Sequence, residues 1–320
     1  MAPKVSIIVP IYGVERYIER CAVSLFEQTY PNVEYVFVND ATQDKSIDIL
    51  LEVMSRYPMR QKDVHIITHP KNRGISATRN TGLKAVQGDY IFYADSDDFM
   101  NLYAIEKLVQ CAEESKADIV LFDTNVVEVN GVRYESVQWR GKENYIKGLL
   151  QHTEKCAHWN KFYNAKFYLN TGVLADERIR LADDYAVTPR VVHQAQNISV
   201  LHEPLYFYET TNQTSHVHQY SRAAIESQYV ADGVLIDYFS HVADAAVYAD
   251  VISVLPQRSM VSLLKNTGRD GWMQIREVYK DDLAYSSRNM TIVNRIIFHL
   301  FKNQQYNLLS YFMKLYHCIC

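Results

Sequence analysis

Residues 91–100 read IFYADSDDFM: an apolar run, then three carboxylates, Asp95, Asp97 and Asp98, within four positions. Like charges that close repel, and burying one unpaired is costly. Either a positive group belongs beside them or the cluster is solvated. Working outward, VSIIVPI (5–11), VEYVFVN (33–39), VHIITH (64–69) and DYIFYAD (89–95) read as strands. Helix-like periodicity fills the gaps at 14–28, 44–57 and 74–86. This βαβαβαβ alternation predicts an α/β fold, a mostly parallel sheet flanked by helices. In such sheets ligands bind at the carboxyl ends of the strands. Three strands end there in polar signals: Pro10-Ile11-Tyr12, Asn39-Asp40 and Asp95-Ser96-Asp97-Asp98.

Composition narrows the class. The 320 residues suit one large domain or one domain with an appendage, and 48% hydrophobic with 22% charged is globular. A net charge of −4 argues against a nucleic-acid partner. Cys21, Cys111, Cys156, Cys318 and Cys320 are scattered and odd in number, which fits a reducing, cytoplasmic compartment. The opening MAPKVSIIVP is too short for a secretion signal, and no run reaches the roughly 18 apolar residues of a membrane span. A helix and a strand continue the pattern to about 126, and 127–160 is polar with turn signals at Asn130-Gly131 and Gly141. Stretches 222–255 and 272–320 read as predominantly helical. After Asp282 there is no acid, while Arg288, Arg295, Lys302 and Lys314 sit among apolar residues. That stripe suits either packing on the main domain or an anionic membrane face, and the two are not exclusive.

The chemistry-bearing residues each carry a plain alternative. Asp97 or Asp98 caps a helix beginning near 101, which accounts for one aspartate. Alternatively Asp95 and Asp97 hold a hard divalent cation that neutralises a diphosphate. Within 72–90, Gly74 precedes a helix start that favours anions, and Arg79 is a planar donor suited to phosphate. A surface ion pair is the plainer fate for Arg79. Asp183 and Asp184 by themselves are an acid pair before a helix. Trp159 either stacks on a sugar ring or packs in the core.

The segments VSIIVPIYG, VEYVFVNDATQDKS, NRGISATRNTGL and GDYIFYADSDD, in this order, resemble the nucleotide-binding half of glycosyltransferase family 2 enzymes. AHWNKFY (157–163), LADDYAV (181–187) and EPLYFYETTNQTS (203–215) resemble the acceptor half of bacterial capsule, lipopolysaccharide and teichoic-acid members. The likeness fades after about residue 216. It implies a GT-A fold, Rossmann-like, over 1–215, with a nucleotide-binding half at 1–100 and an acceptor half at 101–215. A mainly helical C-terminal extension, membrane- or partner-associated, would occupy 216–320.

By position, Pro10 and Tyr12 match strand-end residues that pack on the nucleotide base. Asp40 matches the carboxylate that accepts the uracil imide N–H. Asn72 and Arg79 match residues near base and phosphates. Asp95, followed by Ser96, would reach the ribose or metal, and Asp97 would bridge metal to diphosphate. Asp98 would support the donor sugar or orient its neighbours. Asp184 matches the catalytic base, with Asp183 as the alternate. His216 or His218 would complete the shell of Mn2+ or Mg2+. Trp159 and Lys161 would line the acceptor cleft. The implied activity is metal-dependent, inverting hexosyl transfer from a UDP-sugar to a lipid-linked or oligosaccharide acceptor in bacterial surface-polysaccharide synthesis. The implied location is cytoplasmic, peripheral on the inner membrane face.

Departures from the family pattern are confined. Asn39-Asp40 stands where two acids are usual, Ala41-Thr42 where Gly-Ser is usual, and Asp183 where Glu is usual. Two rivals remain on the sequence. One is a non-catalytic nucleotide-sugar-binding or assembly subunit, which ordinarily loses one of the acids kept here. The other is a sugar nucleotidyltransferase, which needs a glycine-rich basic loop that IYGVERY lacks.

Overall fold

The structure, a computed structural model, describes residues 2–212, 221–284 and 290–319. The chain opens with β1 (Val5–Ile11), α1 (Ile18–Phe26), β2 (Val33–Asn39), α2 (Ser46–Arg56), α3 (Pro58–Gln61), β3 (Val64–Thr68), α4 (Ile75–Ala85) and β4 (Tyr90–Tyr93). It continues through β5 (Phe99–Met100), α5 (Ala104–Ser115), β6 (Ile119–Glu128), β7 (Gly131–Glu135), α6 (Lys142–Leu150), β8 (Lys161–Asn164), α7 (Ala165–Asn170), α8 (Asp183–Gln194) and β9 (Ile198–Glu209). Helices α9 (Arg222–His241), α10 (Ala245–Ile252), α11 (Leu255–Asn266), α12 (Arg269–Val278), α13 (Ile292–Lys302) and α14 (Tyr306–Ile319) follow.

One sheet runs in the order β3-β2-β1-β4-β8-β6-β9-β5, with β7 on β6. Strands β1 to β4 pair in parallel, as the βαβ alternation requires. The downstream half is mixed: β8 is antiparallel to both β4 and β6, and β9 is parallel to β6. The β6–β7 hairpin turns at Asn130-Gly131, where Glu128 opposes Gly131.

Every residue of VSIIVPI is buried, because both faces of β1 are covered. Val5, Ile7, Val9 and Ile11 face a core shared with α1, α2 and α5. Ile8 faces the opposite core with Leu83 of α4 and with α6, α8 and α9. Helices α9 and α10 therefore close one face of the sheet. A third core, with Met260, Leu264, Trp272, Ile275, Phe298 and Phe301 among its members, joins α11 to α14. Asp232 of α9 ties it to the rest, accepting from Ser259, Gln228 and Tyr279. Burial pushes its carboxyl up to about 7. No helix among the described residues is long and apolar enough to cross a membrane.

Helix α4 lies hard against β1 at Gly82, where an added Cβ would sit 2.4 Å from Ile8 Cγ2. Ile8 is buried and β-branched, so it has no rotamer to yield. Gly82→Ala is expected to lower unfolding free energy by about 1–3 kcal/mol through overpacking. Denaturant titration checks this; an unchanged midpoint would contradict the close approach.

Candidate active site

Strands β1 and β4 are neighbours, and the chain connections reverse between them, the switch point at whose strand carboxyl ends open α/β sheets form their ligand crevice. Helix α4 borders it. Gly74, at φ +88°, sets the helix start in a conformation suited to glycine. The polar face of α4 is buried: Ser76, Thr78, Arg79 and Asn80 are all covered. Ser76 donates to the Ile179 carbonyl. Asn80 exchanges two hydrogen bonds with the Ala175 backbone at 2.8 and 3.0 Å. Arg79 Nη1 reaches both oxygens of Asp183 at 2.7 Å, and Nη2 reaches Asp95 Oδ1 at 2.8 Å. The helix thus holds down the loop that delivers α8. Burial opposes the Arg79 charge, but Asp183, Asp95 and Asp184 outweigh it. Arg79, expected near base and phosphates, is placed by Nη1 and Nη2 between two acids, Asp183 and Asp95, while its Nε has no partner among the described residues.

The three aspartates of the opening motif have different surroundings. Asp95 has Arg79. Asp98 is buried, accepting from Tyr206 Oη at 2.8 Å and the Glu209 N–H at 2.7 Å. These bonds tie the loop to β9. Burial, then Asp97 and Asp95, push the Asp98 carboxyl well up. Asp97 accepts from Asn212 Nδ2 at 2.9 Å, and burial with Asp95 beside it raises its carboxyl. Arg20 braces the same turn, donating to the Asp97 carbonyl at 3.0 Å and to Glu209 at 2.8 Å. Ser96 is buried between these aspartates.

Asp183 and Asp184, adjacent in sequence, have different surroundings. Both oxygens of Asp183 are taken by Arg79. Asp184 is partly exposed and accepts only from the Tyr185 N–H at 2.8 Å among the described residues. Burial and the Asp183 charge push its carboxyl up to about 6, against Arg79. A carboxylate with that affinity for a proton is suited to base work near neutral pH.

Of the residues expected at the nucleotide, Tyr12 is 45% exposed at the end of β1, while Pro10 is buried within the strand. Asp40 is buried and accepts from Arg73 N–H, Gly74 N–H and His69 Nδ1–H at 2.7–2.8 Å. Three of about four acceptor positions are filled, leaving one on Oδ2. Asn72 is exposed beside it.

The acceptor-side expectations divide differently. Trp159 is buried and stacks on Tyr206 at 5.2 Å and Tyr208 at 4.9 Å, a packing role and not an open platform. Lys161 is fully buried and donates to Lys155 O, Ala157 O and Asn160 Oδ1. Its amine is thus enclosed by the chain's own oxygens, and burial pushes it down to about 8. His216 and His218 lie outside the described residues. Sequence reasoning missed His69, Arg20, Glu209 and Asn212. Only His69, closing the VHIITH strand, carried the strand-end signal that marked the others.

Among the described residues no group of three or more His, Cys, Asp or Glu is arranged to hold a metal. Asp97 and Asp95 fit the open kind of site, in which one or two carboxylates and substrate phosphates share a hard cation.

A family model described as Glycosyl transferase family 2 matches residues 6–171. The chain belongs to glycosyltransferase family 2. EpsJ of Bacillus subtilis, named an uncharacterized glycosyltransferase, is 30% identical over 303 residues, spanning 89% of this chain and 86% of EpsJ. TarS of Staphylococcus aureus, a poly(ribitol-phosphate) beta-N-acetylglucosaminyltransferase, is 24% identical over 67% of this chain and 37% of TarS. The crystal structure of S. aureus TarS 1–349 with UDP-GlcNAc matches at TM-score 0.75 and 18% identity, over 98% of this chain and 91% of that one. A Pyrobaculum calidifontis mannosyltransferase with GDP-Man and Mn2+ matches at TM-score 0.56 and 13% identity, over 98% and 85%. This glycosyltransferase thus has the GT-A fold with C-terminal helices.

Arg79→Met would leave Asp183 buried without its cation. The expected loss in unfolding free energy is about 3–5 kcal/mol. Arg79→Lys keeps the charge, loses the fork and should fall between. Denaturant unfolding of both reads the outcome; a loss below about 1 kcal/mol in the Met variant would contradict the clamp.

Proposed function

We propose that this glycosyltransferase is a metal-dependent inverting enzyme that moves a sugar from a UDP-sugar to a glycan or glycolipid hydroxyl. The observation that carries this reading is the split between Asp183, held by Arg79, and Asp184, left as a partly exposed acid pushed up to about 6. Asp184 takes the proton of the acceptor hydroxyl as that oxygen attacks the anomeric carbon. The bond from that carbon to the diphosphate oxygen breaks, its electron pair leaves with UDP, and an α-linked donor gives a β product. Tyr12 offers an aromatic face to the base, and the remaining Oδ2 position of Asp40 suits the imide N–H. A divalent cation, Mn2+ or Mg2+, held by Asp97 with Asp95, would supply charge neutralisation for the diphosphate.

The donor class is supported by the TarS 1–349 structure with UDP-GlcNAc, and the β product by the beta-transferase name of TarS. Mn2+ in the P. calidifontis structure supports the cation. Bacterial surface polysaccharide is the inferred product class, with a lipid-linked or oligosaccharide acceptor met at the cytoplasmic membrane face. The binding-subunit reading is not favoured, because both acid motifs keep their carboxylates.

UDP release from a panel of UDP-sugars, with Mn2+ or with EDTA and a membrane glycolipid extract as acceptor, tests the proposal. Release from one donor is expected with Mn2+, abolished by EDTA and reduced at least ~100-fold in Asp97→Ala. Release that persists in EDTA would overturn the cation's role. Absence of UDP binding by calorimetry would overturn the donor class.

A further inference from the structure

Helices α13 and α14 are apolar on two faces, which packing alone does not require. Their inward stripe, Ile297, Phe298, Phe301, Leu309 and Met313, fills the third core. A second stripe points out. Ile292 and Ile296 on α13 are 70% and 39% exposed, and Leu308, Tyr311 and Leu315 on α14 are 57%, 66% and 46% exposed. Their spacings, four on α13 and three then four on α14, place each set on one side of its helix. Among the described residues 18 large apolar side chains are exposed, and six belong to these two helices. Scattered surface exposure does not cluster in this way.

The charges around this stripe select its partner. Arg295, His299, Lys302 and Lys314 are all exposed on the same two helices. No Asp or Glu follows Asp282. A groove of about 320 Å³ lined by Ile292, Arg295, Ile296, His299 and Leu300 opens between charge and apolar surface. A second copy of this face would set these bases against themselves with no acid from either segment to offset them. A surface with negative headgroups above an apolar interior meets both requirements. We propose that the outward face of α13 and α14 binds anionic lipid bilayers, its apolar side chains entering the acyl boundary and its bases meeting headgroup phosphates. The proposal is independent of the transfer chemistry, because it is read by binding without turnover.

Co-sedimentation of the full chain with phosphatidylcholine vesicles, and with vesicles enriched in phosphatidylglycerol, tests it. The wild type is expected to favour the anionic vesicles by at least about tenfold and to be released by high salt. Ile296→Glu with Tyr311→Glu, both at exposed positions, should abolish sedimentation while leaving the thermal melt unchanged. Arg295→Gln and Lys314→Gln should each weaken anionic binding roughly fivefold. No sedimentation, equal sedimentation with both vesicle types, or full retention by the double Glu variant would overturn the proposal. An oligomer that the double Glu variant dissolves, with no vesicle binding, would assign the face to a second copy and overturn it equally.

Discussion

The buried guanidinium of Arg79 joins two distant segments of this glycosyltransferase. One arm holds Asp95 at the end of β4, and the other holds Asp183 at the head of α8. A planar, permanent cation is suited to this, since an amine in the same place lacks the fork and is easily neutralised by burial. The close approach of α4 to β1 at Gly82 and the bonds from Ser76 and Asn80 to the 175–179 loop set its position. With Asp183 neutralised in this way, Asp184 is left as the site's available acid. With Asp95 likewise engaged, Asp97 keeps a raised carboxyl that favours a further positive charge. The crowding of three aspartates after an apolar strand is thus partly answered by Arg79, and the proposed cation answers the remainder.

Much of the first hundred residues was legible because the signals there are local. VSIIVPI and VEYVFVN coincide with β1 and β2, where continuous apolar runs mark strands covered on both faces. Elements failed to show where one residue type carries two meanings. Pro256, of a type that also stops helices, opens α11, which falls between the two stretches that read as helical. The second half of the sheet is mixed because β8 runs against β4, a pairing across distant segments with no periodicity to announce it.

The site residues were legible as residues but not as roles. Asp183 and Asp184 are identical in type and adjacent, and what separates them is an arginine 104 positions away. Lys161 in AHWNKFY reads as a lining residue of an acceptor cleft, and nothing in that stretch announces the three backbone and side-chain oxygens that enclose its amine. The same holds at the C-terminus. One amphipathic stripe served both a packed helix and a membrane helix, and the structure separates two stripes where the sequence suggested one.

The division of labour between Asp183 and Asp184 is tested most directly by kcat/KM against pH for the wild type and Asp184→Asn. A base must be ionised, so activity present above the Asp184 pKa is lost as pH falls through it. The wild type is expected to show an acidic limb near pH 6, falling about tenfold per pH unit below it. Asp184→Asn should be folded, at least ~100-fold slower and without that limb. An Asp184→Asn variant that retained wild-type activity and the same acidic limb would contradict the account.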